Sequence, residues 1–179
     1  FDNVITPYGQ KDGILGGAAS YCSFAASYFS EVRMVGVIGN DFGDEHLNRL
    51  RTREIDLEGV QKDASGPTFF WKGKYHENFN RRDTLDIQLN VFESFRPDLP
   101  DSYKDSSYVL LGNIHPALQA HVLDQLKGSA FSLADTIDLW IDIERSALLE
   151  LIKRVNLFVI NDSEAEELTE ENNIILAGK

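Results

Sequence analysis

The sequence predicts an α/β protein, with a mainly parallel sheet flanked by helices and a small antiparallel β lid. Three observations carry this expectation. Four apolar runs end abruptly on polar or glycine residues: Val35 to Asp41, Val109 to Asn113, Phe131 to Thr136 and Leu157 to Asp162. Near-continuous apolar runs fit strands covered on both faces, as in a parallel sheet. From residue 107 onward such runs alternate with helix-like segments, the pattern of βαβ units. Between residues 56 and 92 the pattern changes to aromatic and alternating segments, which suit antiparallel strands.

The elements follow in order. Phe1 to Ile5 reads as a strand. Residues 17–29 follow a glycine turn and are small and apolar almost all round, so they read as a buried helix. Val32 to Gly39 is the next strand. Phe42 to Arg53 is amphipathic, with Phe42, Leu47 and Leu50 on one side. Gly66-Pro67 marks a turn before the aromatic strand 68–75. Residues 83–92 alternate polar and apolar, a strand with one solvated face. Strands are expected at 107–112, 130–135 and 156–160. Helices are expected at 116–127, with Pro116 in the first turn, and at 145–154 and 162–168. The domain reading is a Rossmann-like core, 1–55 and 93–179, with a lid at 56–92.

Composition limits the partners. The 179 residues carry 17 Lys and Arg against 29 Asp and Glu, a net charge of −12. No basic surplus exists to neutralise nucleic-acid phosphates, so nucleic acid is not the expected partner. No apolar run is long enough to span a bilayer, so a membrane is not expected either. The single cysteine, Cys22, excludes an intrachain disulfide and suits a reducing compartment, hence a cytoplasmic expectation. The chain starts at Phe1 without an initiator Met, inside a strand-like segment, and stops at Lys179 after a helix-like one. That pattern leads to the expectation of an incomplete chain.

Ligands of open parallel sheets bind beyond the carboxyl ends of the strands. Asp41, Asn113, Asp135 and Asn161 occupy such positions in the sequence. Each has a structural alternative. Asp41 reads as a helix cap, and so does Asp135. Asn113 is a turn residue or an orienting hydrogen-bonder. At Asn161-Asp162-Ser163-Glu164, Ser163 or Asp162 can cap a helix. Alternatively, Asn161 and Glu164, three apart, face one crevice, where they hold a hydrated Mg²⁺ beside a phosphate. Gly16-Gly17 is a tight turn or a close approach of backbone to ligand. Arg82, beside Arg81 in the lid, is a solvated turn residue or an arginine that closes over an anionic or polyhydroxyl ligand. The four histidines show no metal-ligand spacing, and no Walker, Gly-x-Gly-x-x-Gly or Gly-x-Ser-x-Gly motif occurs.

Taken jointly, these residues resemble the PfkB (ribokinase-like) carbohydrate kinases. The resemblance rests on Gly16-Gly17 ahead of a small-residue helix and on Val35-Gly36-Val37-Ile38-Gly39-Asn40-Asp41-Phe42-Gly43. Ile55-Asp56-Leu57-Glu58-Gly59-Val60 is similar to the family's G-I-D-x-x-x-V stretch, with Glu54 in the glycine's place. The aromatic segment Thr68-Phe69-Phe70-Trp71 and Asn161-x-x-Glu164 complete it. Tyr75-His76, Asn80 to Leu85, Asp135-Thr136 and Trp140-Ile141 are similar to a bacterial subgroup.

The resemblance implies ATP-dependent phosphate transfer to a hydroxyl of a sugar or related polyol, with ATP and Mg²⁺ as cofactors. It implies substrate contacts from Asp2, Gly16 and Gly17, to which the strand-end Asn113 and the lid residue Arg82 are added as substrate candidates from their own positions. It assigns Asp135, Asn161 and Glu164 to the cofactor, with Glu164 toward the metal. It also implies a lid that excludes water, and a homodimer formed through that lid. The family's Gly-Ala-Gly-Asp anion hole, whose Asp is the base, does not occur in the sequence, so no catalytic residue is assigned. Tyr21 stands where many of these sugar kinases carry a substrate-binding Asn. That leaves a cyclitol or other polyol open as acceptor. The competing expectation is a truncated, non-catalytic homologue that binds a polyol or dimerises.

Overall fold

The computed structural model describes residues 1–79 and 82–178. Asn80 and Arg81, part of the lid segment singled out above, lie outside the described residues. By their contacts the residues divide into two units, Phe1–Arg96 and Pro97–Lys179.

The first unit holds two sheets. Strands β1 (Asp2–Thr6), β2 (Gly9–Ile14), β5 (Phe70–Tyr75) and β6 (Arg82–Gln88) form one sheet in the order β2-β1-β5-β6. β1 runs antiparallel to β2 and parallel to β5, and β5 pairs antiparallel with β6. Helix α1 (Ala18–Ala26) follows β2. Strands β3 (Arg33–Ile38) and β4 (Asp56–Lys62) pair in parallel, joined by helix α2 (Asp44–Arg51).

Beyond the unexpected β2, and β6 ending at Gln88 rather than at residue 92, three details differ from the sequence expectation. β4 is parallel, not part of an antiparallel ribbon, because a crossover helix returns it to the same end of β3. α1 buries only Ser20 and Ser23, so it is not enclosed all round. Every residue of β6 is exposed, so both of its faces meet solvent.

The core of this unit is Ile38, Phe42 and Leu47, with Phe1, Leu15, Leu57 and Val60 packed on it. Phe42 stacks on Phe1 at 5.3 Å between ring centroids. Glu54, in the glycine's place, adopts a left-handed φ of 55°. That is a conformation glycine adopts freely, and this chain accepts the strain of a side chain there.

The second unit is a three-stranded parallel sheet, β7 (Tyr108–Leu111), β8 (Phe131–Asp135) and β9 (Leu157–Val159), in sequence order. Helices α3 (Pro116–Gln125), α4 (Asp138–Ile143), α5 (Arg145–Ile152), α6 (Asp162–Thr169) and α7 (Ile174–Ala177) accompany it. Pro116 occupies the first turn of α3, where its missing N–H costs nothing. Leu111, Val122, Ala134, Ile141, Leu148, Leu151 and Leu168 form one buried cluster between sheet and helices. Each fully buried leucine there contributes on the order of 1.5–3 kcal/mol. The strands alternate inward and outward: Leu111, Ser132 and Ala134 are buried, whereas Tyr108, Leu110, Phe131, Leu157 and Val159 are exposed.

Candidate active site

In the first unit the sequence candidates Asp2 and Gly16 meet directly. β1 and β2 pair so that Asp2 lies opposite Ile14, two residues before Gly16. A Cβ at Gly16 would overlap the Asp2 carboxylate, so only glycine admits that side chain in this position. Burial pushes the Asp2 carboxyl above the usual carboxylate range. Gly17 follows as the N-cap of α1 with φ 86°, a conformation that glycine adopts without strain. Asp2, Gly16 and Gly17 therefore form one local cluster of a carboxylate and a close-approach backbone.

Arg82 is not part of that cluster. β5 places Trp71 beside Asp2, but Arg82 pairs with Tyr75, four residues further along. That separates the two by roughly 13 Å along the strand direction.

Asp41 does not cap α2, whose N-cap is Gly43. Its carboxylate instead accepts from the Thr68 backbone N at 2.7 Å and the Thr68 hydroxyl at 2.6 Å. Burial raises its pKa, but those two bonds outweigh it and hold the carboxyl below its usual range. Thr68 also accepts from Gly39 N at 2.9 Å, so the turn after β3 is stapled to the segment leading into β5.

In the second unit the candidates sit at adjacent strand ends. The β7–β8 ladder closes at Leu111 opposite Ala134, and the β8–β9 ladder at Asp135 opposite Val159. Asn113 and Asn161 each follow their strand by two residues, so Asn113, Asp135 and Asn161 share the carboxyl end of one sheet.

Asn161, not Asp162 or Ser163, is the N-cap of α6. Its Oδ1 accepts from Glu164 N at 2.9 Å, while Glu164 Oε2 accepts from Asn161 N at 3.0 Å. This reciprocal capping box fixes the Glu164 side chain, a residue only 8% exposed.

Asp135 caps no helix; α4 begins after Ile137. Its Oδ1 is buried with no hydrogen-bond partner. Burial first, and the nearby Glu164 carboxylate second, push its carboxyl up to about 6. Two like charges with an orphaned oxygen suit a divalent cation, which would neutralise both. Among the described residues no group of three or more His, Cys, Asp or Glu could hold a metal ion. A cation here would complete its shell with water and phosphate oxygens, as Mg²⁺ does.

Two residues outside the candidate set hold these strand ends. Gln119, 1% exposed, donates through Nε2 to the carbonyls of Leu111, Gly112 and Asp135 at 3.0–3.2 Å. Its sequence signal is spacing: it lies three residues from buried Pro116 and three from buried Val122, on the inner face of α3. Trp140 Nε1 donates to Asn113 Oδ1 at 2.9 Å. No periodicity in the short α4 announces that bond.

Comparison with known proteins bears on the fold and the family. No curated protein matches the chain significantly. Solved structures match as folds. A PfkB protein from Polaromonas sp. JS666 is 17% identical with a TM-score of 0.73, covering 99% of this chain and 70% of its own. A Burkholderia thailandensis nucleoside kinase in complex with inosine is 16% identical with a TM-score of 0.74, covering 96% and 60%. The ribokinase of Giardia lamblia is 19% identical with a TM-score of 0.71, covering 96% and 58%. The chain thus spans roughly three fifths of the length of most such relatives. A family model, "pfkB family carbohydrate kinase", matches residues 10–178. With that match running across nearly its whole length, the chain belongs to the pfkB family of carbohydrate kinases.

Proposed function

We propose that the protein transfers phosphate from ATP to a hydroxyl of a sugar or related polyol. The observation that carries this reading is Asp135 beside Glu164 at the carboxyl end of a parallel sheet, one carboxylate oxygen buried and unpartnered. Such a pair is costly in a fold unless a cation or a proton relieves it. Mg²⁺ would supply charge neutralisation for the phosphates, held toward Glu164 with Asp135 and Asn161 beside it.

The chain's own residues then do the positioning. Asp2 accepts hydrogen bonds from acceptor hydroxyls, and Gly16 and Gly17 let backbone N–H groups approach the same ligand. In the second unit Asn113 orients an oxygen of the ligand group that approaches the end of β7. Arg82, at the turn end of the β5–β6 hairpin and apart from the Asp2 cluster, is the candidate cation for an anionic group lying beyond that cluster. The base is not assigned to any residue of this sequence.

The test is transfer of labelled γ-phosphate by the full-length protein to a panel of pentoses, hexoses, cyclitols and nucleosides, with and without Mg²⁺. Mg²⁺-dependent transfer to at least one polyol is expected. Gly16→Ala, which drives a methyl into the Asp2 carboxylate, should raise the acceptor KM about tenfold or more with little change in thermal stability. Absence of transfer across the panel, or a wild-type KM in Gly16→Ala, contradicts the reading.

A second reading, a binding or dimerisation module without turnover, is favoured by one feature. Tyr8 and Phe79 stack at 6.3 Å and are both exposed beside the four-stranded sheet, an apolar surface suited to a second copy. Polyol binding without transfer would select it.

A further inference from the structure

We propose that Trp140 is a positioning residue that fixes the side-chain amide of Asn113 as a hydrogen-bond donor toward the ligand. The inference deepens the phosphotransferase reading and rests on it for the identity of the ligand.

The two ends of an asparagine amide have the same shape and opposite chemistry. Only the partner decides which end points where. Here the partner is an indole N–H, which donates and cannot accept. The Trp140 Nε1 contact of 2.9 Å therefore assigns Oδ1 to the indole. Nδ2, with its two hydrogens, points the other way. Among the described residues the Asn113 side chain makes this one hydrogen bond, and Nδ2 has no protein acceptor. Position 113 thus presents N–H to whatever approaches the carboxyl end of β7. The matching ligand atom is an oxygen lone pair, from a hydroxyl or a phosphate. A metal ion or an ammonium group is turned away by the same hydrogens.

Trp140 is itself held in place from two sides. Ile141, its neighbour on α4, is 1% exposed in the core of the second unit. The His115 ring lies 5.2 Å from the indole at 58°. His115 Nδ1 accepts from Ala117 N at 3.1 Å, so its proton sits on Nε2, 3.3 Å from Glu144 Oε1. One chain of contacts, Glu144–His115–Trp140–Asn113, therefore ties the loop after β7 to the end of α4. The loop that carries Asn113 is preorganised rather than waiting for ligand.

The experiment uses the full-length protein and three variants. Trp140→Phe keeps an aromatic ring against His115 and deletes the N–H. Asn113→Asp keeps an acceptor for the indole and deletes the outward donor. Each should raise the KM of one substrate roughly threefold to tenfold, the size of one neutral hydrogen bond, with kcat within about twofold. It is the acceptor's KM if the contact is to a hydroxyl, and the ATP KM if it is to a phosphate. The double variant should be no worse than the single ones, because both remove the same contact. A merely structural Trp140 would lower thermal stability and leave the KM-to-kcat split unmoved. Unchanged KM values for both acceptor and ATP in Trp140→Phe, or losses that add, would overturn the proposal.

A readout independent of turnover separates this inference from the kinase reading. In Asn113→Ala the Trp140 indole proton should lose its protection from solvent exchange by NMR. Unchanged protection overturns the orientation even in an active enzyme. Lost protection in a protein that phosphorylates nothing sustains the orientation and removes the kinase reading alone.

Discussion

Asp135 is where stability and site chemistry oppose each other. Its carboxyl titrates near 6 in the fold against an ordinary value of 3.8, with burial the first cause and Glu164 the second. A raised carboxylate pKa means that the fold binds the proton more tightly than the unfolded chain does. The ionised group is therefore destabilising, fully so above about pH 6. The penalty shrinks below that and is largely gone by about pH 4, where the unfolded carboxyl also takes up its proton. An amide at position 135 would carry no charge at any pH. Asp135→Asn should accordingly raise the melting temperature at about pH 8 by roughly 2–4 °C. The gain should fall away between about pH 6 and about pH 4, as followed by circular dichroism. A gain that does not change with pH would show that the charge is not the cause. A residue that weakens its own fold at neutral pH fits a ligand site better than a core. Gly16 makes the same point from the opposite direction. It supports nothing by packing, and its value lies in the space that it leaves to the Asp2 carboxylate.

At the level of elements, the N-terminus of α6 carries two roles that single substitutions can separate. Asn161→Ala removes the capping acceptor and should cost about 1 kcal/mol of stability. Glu164→Gln keeps an amide oxygen for the Asn161 N–H, so the capping box survives. It removes the charge that would face Mg²⁺. Thermal stability should then hold within a degree or two, while the Mg²⁺ concentration for half-maximal turnover rises several-fold. Wild-type Mg²⁺ dependence in Glu164→Gln would leave the capping box as the whole role of this motif.

What the sequence made legible followed from strong local patterns. The alternation of apolar runs and helices from 107 onward reappears as β7 to α6 with ends shifted by at most two residues. Asn113, Asp135 and Asn161 could be placed because each closes an apolar run. β2 escaped notice because Gly-Gln-Lys-Asp-Gly-Ile is an exposed edge strand with almost no apolar signal. α4 was missed because six residues are too few to show a period. Glu164 was legible as a first-turn acid, but the choice of Asn161 as cap depends on backbone angles that composition does not encode. The partners of Asn113 and Asp41, Trp140 and Thr68, are 27 residues away in each case, and no local pattern reports contacts of that range.

On the scale of the whole chain, the excess of acids over bases is the dominant electrostatic fact. A net charge of −12 opposes compaction through self-repulsion at neutral pH. Acids of α4 and α6 show it locally. Burial first, and then Asp138, Asp142 and Glu164, push the Glu167 carboxyl above its usual range. Screening should relieve it, because the Debye length falls from about 30 Å at 0.01 M salt to about 8 Å at 0.15 M. Raising NaCl over that interval at about pH 7.5 should therefore increase the melting temperature by a few degrees. At about pH 5, close to the sequence pI of about 4.7, the same salt step should do little. Matched ionic strength then separates general screening from a local cation. MgCl₂ should stabilise the wild-type protein more than NaCl does, and this surplus should vanish in Glu164→Gln. Equal gains from the two salts in the wild type would mean that the acids around Asp135 and Glu164 repel one another without forming a cation site.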